Sequence, residues 1–188
     1  MRIIMIRGMI FIMLGLALVA CNKKLSTNEL PVNVTEGGIY YTQVVMHYEK
    51  NAYPTTNYQV GATIPVNTQV KLQEMSKKTI SIELGDSGQK IVVKNIEKHT
   101  GDNVNQAFNK LFAKQKVNLS QFDRLETEHI DAGTVAVGMR KKAVTVAIGY
   151  PPSTRTMNLD ANSWVYWRHR YNTFIVNFKD GKVSEIVD

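Results

Sequence analysis

The sequence predicts an α+β protein in which a small β-barrel precedes helices and a three-stranded antiparallel meander. Three observations carry this. From Gly38 to Ile96 about five short alternating runs are separated by turn residues, with no long helix among them. Val104, Ala107, Phe108, Leu111 and Phe112 then fall in one helical stripe. Last, Gly138 to Asp188 reads as a helix with a strong stop signal, a polar loop and three strands.

The chain opens with an export signal. Arg2 and Arg7 make a positive n-region, Met9 to Leu18 an apolar h-region, and Leu18, Val19, Ala20 and Cys21 read as a bacterial lipobox. The run from Met9 to Cys21 is about 13 residues and closes on Asn22, Lys23 and Lys24, whereas a membrane-spanning helix needs roughly 20. Cys21 is the single cysteine, so no disulfide competes for it. The expectation is an exported chain acylated at Cys21. Asn22, rather than aspartate, follows the cysteine, and in the lipoproteins this pattern resembles that choice places the protein in the outer membrane, facing the periplasm. Residues 22–36, with Ser26, Thr27, Asn28 and Pro31 and no sustained periodicity, read as a tether, with order beginning near Gly37.

Removal of residues 1–20 takes Arg2 and Arg7 away and lowers the formal charge from +7 to +5. Lys23 and Lys24, beside the anchor, suit anionic headgroups. The other charges read as a solvated surface. No Arg/Lys stripe interleaved with aromatics marks a nucleic-acid partner.

The barrel elements follow in order. Residues 40–48 alternate as one strand with Tyr40, Thr42, Val44, Met46 and Tyr48 on one face, and Asn51 to Tyr58 reads as a mobile loop. Ala62 to Pro65, Gln69 to Met75 and Thr79 to Leu84 follow as strands; Asp86, Ser87 and Gly88 turn the chain into Lys90 to Ile96. The Tyr-rich first strand and the stretch from Gly61 to Val70 resemble bacterial SH3-like domains, which implies a barrel whose Tyr40, Tyr41, Tyr48, Tyr53 and Tyr58 are either core or lining of a groove.

Asp102 stands where an N-cap would begin the next helix, which should end around Lys116. Its stripe reads as packed core that seals the barrel or joins the two halves. Farther on, Ala143, Val144, Ala147 and Ile148 share a helix face, Gly149 takes the C′ position, and Pro151 and Pro152 prevent continuation. Ser163 to Arg170, Thr173 to Phe178 and Lys182 to Val187 read as strands, with Asp180 and Gly181 as the second turn.

The order Gly138, Met139, Lys141, Val144, Gly149 and Pro151, then Trp164 and Tyr166, then Phe178 to Val183, resembles the SmpA/OmlA (BamE-like) family of outer-membrane lipoproteins. The resemblance covers about 50 residues and implies a helix pair on a three-stranded antiparallel sheet, with an accessory, non-enzymatic role in outer-membrane protein assembly. Many members carry Ser or Thr where this chain has Arg140, which cannot act as a capping acceptor. The organisation expected is therefore 1–20 signal peptide, 21–36 lipidated tether, 37–100 SH3-like module, and 101–188 helical linker and BamE-like module.

Catalytic patterns are missing from the sequence. His47, His99, His129 and His169 are widely spaced, acylated Cys21 supplies no thiolate, and neither a nucleophile elbow nor a Gly-rich phosphate loop occurs. Glu126, Glu128 and Asp131 beside His129 read as a solvated acidic face. No catalytic residue, metal ligand or cofactor is expected. The candidate interface is the aromatic, basic run from Trp164 to Tyr171: if Trp164 and Tyr166 pack inward, Trp167, His169, Arg170 and Tyr171 face a partner, and the alternative is that the helix pair covers this face and all the aromatics are core. The expected partners are outer-membrane lipid through Cys21 and another envelope protein; the alternative is a barrel that recognises peptidoglycan or a peptide.

Overall fold

In the computed structural model the described residues are 23–188; the signal segment and Cys21 lie outside them. Seven strands build the first half: β1 (Ile39–Thr42), β2 (Met46–Tyr48), β3 (Ala52–Pro54), β4 (Ala62–Ile64), β5 (Gln69–Met75), β6 (Thr79–Leu84) and β7 (Lys90–Lys94). A one-turn helix α1 (Glu97–Thr100), helix α2 (Val104–Leu111) and a two-residue strand β8 (Phe112–Ala113) complete it. The β5, β6 and β7 alternation places Val70, Leu72, Ile80, Ile82, Ile91 and Val93 in one core. The main sheet runs β3-β7-β6-β5-β1-β8 and curls as a half-barrel rather than a closed one. Closure fails because its edges, β3 and β8, are only three and two residues long and do not pair with each other.

Several expectations are corrected here. The predicted tether is folded from Lys24 onward: Leu25 donates to the Met75 carbonyl at 2.8 Å, and Leu25 and Val34 are buried in the first core. Their apolar side chains override a locally polar composition. The segment expected as a mobile loop holds β3, which pairs parallel with β7 through Ala52↔Val92 and Pro54↔Lys94. Thr55, Thr56 and Asn57 beyond it are buried, and Thr55 and Asn57 hydrogen-bond across the fold, to Asn95 and to the Ile148 carbonyl.

The predicted strand over 40–48 breaks in two. At the break, Gln43 donates to the Leu111 carbonyl and Val45 to the Val146 carbonyl, each at 2.9 Å, while Val44 enters the first core and Val45 the second. Helix α2 starts one residue later than expected, with a capping box between Asn103 and Gln106, while Asp102 instead pairs with Lys110. It stops at Leu111, short of Lys116, because Phe112 turns extended and pairs with Thr42 on the free edge of β1. The expected boundary at residue 100 therefore moves: Val104, Phe108, Leu111 and Phe112 all belong to the first core.

The second half consists of α3 (Arg124–Ala132), α4 (Lys141–Ile148), β9 (Ser163–His169), β10 (Asn172–Lys179) and β11 (Lys182–Val187). The sheet is antiparallel in the order β11-β10-β9. Asp180 and Gly181 have φ of 52° and 76°, the two positive values that a tight hairpin requires. Ala143, Val144, Ala147 and Ile148 of α4 pack with Trp164, Tyr166, Phe174, Val176 and Phe178. Helix α3 lies where the acidic cluster was expected on a solvated face; an Asp123/Glu126 capping box starts it, Gly133 ends it, and Glu126 is completely buried. The whole is an α+β fold. Among the described residues, no helix is long and apolar enough to cross a membrane.

Candidate functional site

Strand β9 positions the aromatic run. Trp164 and Tyr166 point into the second core, and the Tyr166 hydroxyl donates to the Gly149 carbonyl at 3.0 Å. Trp167 turns away from that core, as alternation demands. It does not stand free: Gln59 donates to its carbonyl at 3.0 Å, the Tyr58 ring meets its indole edge to face at 6.5 Å, and the Arg155 guanidinium carbon lies 5.3 Å from its ring centre. The half-buried ring lies between the two expectations, an open face and a fully covered core position. The physical reason is that the stretch after β3 folds back across β9 and covers one side of the ring.

The indole N–H of Trp167 is buried without an acceptor, a condition that costs about 1–3 kcal/mol. Beyond it the register shifts, so β10 pairs Thr173 with Trp167 and Asn172 with His169. The chain then turns through Arg170 and Tyr171, which places His169, Arg170 and Tyr171 on the surface; Tyr171 is 81% exposed. Arg170 stacks over the Tyr171 ring at 5.4 Å, and His169 Nδ1 accepts from the Tyr171 amide at 3.3 Å. Arg168, by contrast, is engaged: it ion-pairs with Asp188 and covers Phe174.

Pro54, Tyr58, Ile96, Lys98, His99, Trp167 and Arg170 wall a groove of about 420 Å³ together with Thr56. A second hollow shares Pro54 and Tyr58 and adds His47 and Lys94. Burial pushes the His47 imidazole pKa down, and the Gly133 carbonyl it bonds partly opposes that. Of the four predicted interface residues, only Trp167 and Arg170 line the groove. Of the five first-half tyrosines, Tyr40 and Tyr53 are core and Tyr58 alone reaches it. Sequence reasoning missed Pro54, Ile96, Lys98 and His99 because they are distant in the chain from Trp167 and share no motif with it. Nothing in the sequence around Tyr58 marks Trp167, more than 100 residues on, as its ring partner.

A separate cavity of about 120 Å³ lies between α2 and the loop after α4, with Tyr53, Thr55, Lys110, Tyr150 and Thr156 in its wall. Among the described residues no group of three or more His, Cys, Asp or Glu is placed to hold a metal ion. In comparisons with known proteins, no family model, no curated protein and no solved structure matches the chain.

Proposed function

We propose that the protein is a lipid-anchored, non-enzymatic component of the bacterial outer membrane, facing the periplasm, that holds another envelope protein in the service of outer-membrane assembly. The observation that carries the reading is the combination of the Leu18 to Cys21 lipobox with a surface of exposed or half-exposed Trp167, Arg170 and Tyr171 at the end of β9. Trp, Tyr and Arg are the side chains that dominate binding energy at protein interfaces. The curled first sheet supports an SH3-like origin for the N-terminal half, and α3 and α4 with β9 to β11 support a BamE-like module at the C-terminus.

The test has two arms. Cys21→Ser is expected to abolish palmitate-analogue labelling and to release the protein from outer-membrane fractions; continued fractionation with the membrane would overturn the anchor. In pull-downs of the full lipidated chain from detergent-solubilised envelopes, Trp167→Ala with Tyr171→Ala is expected to lose a co-purifying protein that the parent retains. Retention of that protein by a variant that still melts cooperatively refutes the interface.

A further inference from the structure

Charge is unevenly matched around the groove. Among the described residues the ion pairs engage Lys24, Lys110, Arg124, Arg140 and Arg168; the two cations that line the groove, Lys98 and Arg170, are, like many surface lysines, in none of them. Lys98 and Arg170 both line it, Lys98 from α1 and Arg170 from the β9–β10 turn. No acidic side chain lines this groove; Glu97 is exposed on the same turn as Lys98, and Glu49 belongs to the neighbouring hollow. The same groove is lined by apolar surfaces, those of Pro54, Ile96 and the rings of Tyr58 and Trp167.

We propose that this groove binds an extended peptide segment in which carboxylate side chains alternate with apolar ones, presented by the partner protein. The carboxylates satisfy Lys98 and Arg170, whose guanidinium is suited to a two-pronged contact, while the intervening apolar side chains cover Ile96, Pro54 and the indole. A phosphate headgroup would use the cations and leave the apolar floor bare, and a neutral glycan would use the rings and leave the cations unpaired. Only a peptide with both features meets both halves of the lining. This assignment rests on the partner-holding reading above and names the chemistry of the partner.

Fluorescence anisotropy on the purified full chain in detergent micelles tests it, with a labelled short peptide alternating Glu with Leu as the probe. Saturable binding is expected, weakened at least about tenfold by Lys98→Glu with Arg170→Glu, and weakened by salt because the contacts are partly exposed. Lys179→Glu, on an exposed position of β10, is expected to leave it unchanged. Trp167→Phe is expected to weaken binding severalfold without lowering the melting temperature, which separates a ligand contact from a folding role. Equal binding of a Gln–Leu peptide, indifference to the double charge reversal, or tighter binding of anionic phospholipid vesicles or soluble peptidoglycan fragments at the same residues overturns the proposal. Because the probe binds purified protein, its result is independent of Cys21→Ser fractionation, so failure of the anchor and failure of the groove are read separately.

Discussion

At the scale of single residues, Glu126 and Arg140 show how a position can be misread from its neighbours. Arg140 occupies the N-cap of α4 and makes no side-chain cap, as expected from its chemistry. Its amide and Nε instead donate to Glu126 Oε1, each at 2.8 Å, and its terminal nitrogen ion-pairs with the other carboxylate oxygen. The Arg140 guanidinium holds the Glu126 carboxyl below the usual carboxylate range against the opposing effect of burial, and the Arg140 and Asp123 amides assist. A carboxylate with a depressed folded pKa stabilises above its unfolded value, here 4.5, and loses that contribution as pH falls through the folded value. Glu126→Gln is therefore expected to lower the melting temperature by roughly 5 °C at neutral pH, with the gap to the parent closing in acid. Thermal melts between about pH 3 and 7 check this; a gap independent of pH would show that the charge is irrelevant.

Among the elements, the junction between β3, α4 and β9 decides how the halves meet. Asn57, at φ 60° and almost fully buried, donates from Nδ2 to the Ile148 carbonyl at 2.7 Å and to the Tyr150 carbonyl at 2.9 Å. Gly149 lies between those two carbonyls with φ of 74°, and a Cβ there would stand 2.8 Å from Asn57 Nδ2. Glycine is needed both for the backbone angle and for the approach. Asn57→Ala is expected to cost about 1–3 kcal/mol, because the half-buried Tyr150 carbonyl loses its side-chain donor and the Ile148 carbonyl keeps only Gln59 Nε2, at 3.0 Å. Asn57→Asp should cost more, since it keeps the shape and tolerates the same left-handed backbone but aims an acceptor at two carbonyls. Chemical denaturation of the two variants measures the order; Asp equal to or milder than Ala would show that packing, not hydrogen-bond polarity, closes the junction. The stop of α4 at Gly149 was legible from Gly149, Pro151 and Pro152, whereas Asn57 gave no local sign of its role, because its partners lie about 90 residues away in the chain.

Over the whole molecule, two hydrophobic cores share one short stretch. Val44 and Val45 are adjacent in sequence and enter different cores, and Val66 from the first half also joins the second core. Main-chain hydrogen bonds from Val45 to Val146 of α4 and from Gln59 to Trp167 of β9 tie the halves further. Residues 24–188 are therefore expected to unfold in a single transition, with calorimetric and van't Hoff enthalpies in agreement. Two resolved peaks in scanning calorimetry would show that the halves are independent modules. The joined halves also make the groove, since its walls come from β3, α1 and β9 with the turn that follows.

The sequence by itself determined the elements whose signals are local: β5, β6 and β11 with their stated limits, the α4 stop, the Asp180–Gly181 turn and the α+β class. Each of these depends on alternation, backbone angles or side-chain size within a few residues. Tertiary structure alone decided that residues 24–36 pack on the first sheet, that Phe112 leaves its helix for β1, that Glu126 is buried, and that Trp167 is half covered beside Lys98. In each case the free energy comes from a group distant along the chain, such as an open strand edge, an apolar face or an opposite charge, and no local pattern records which distant group that is.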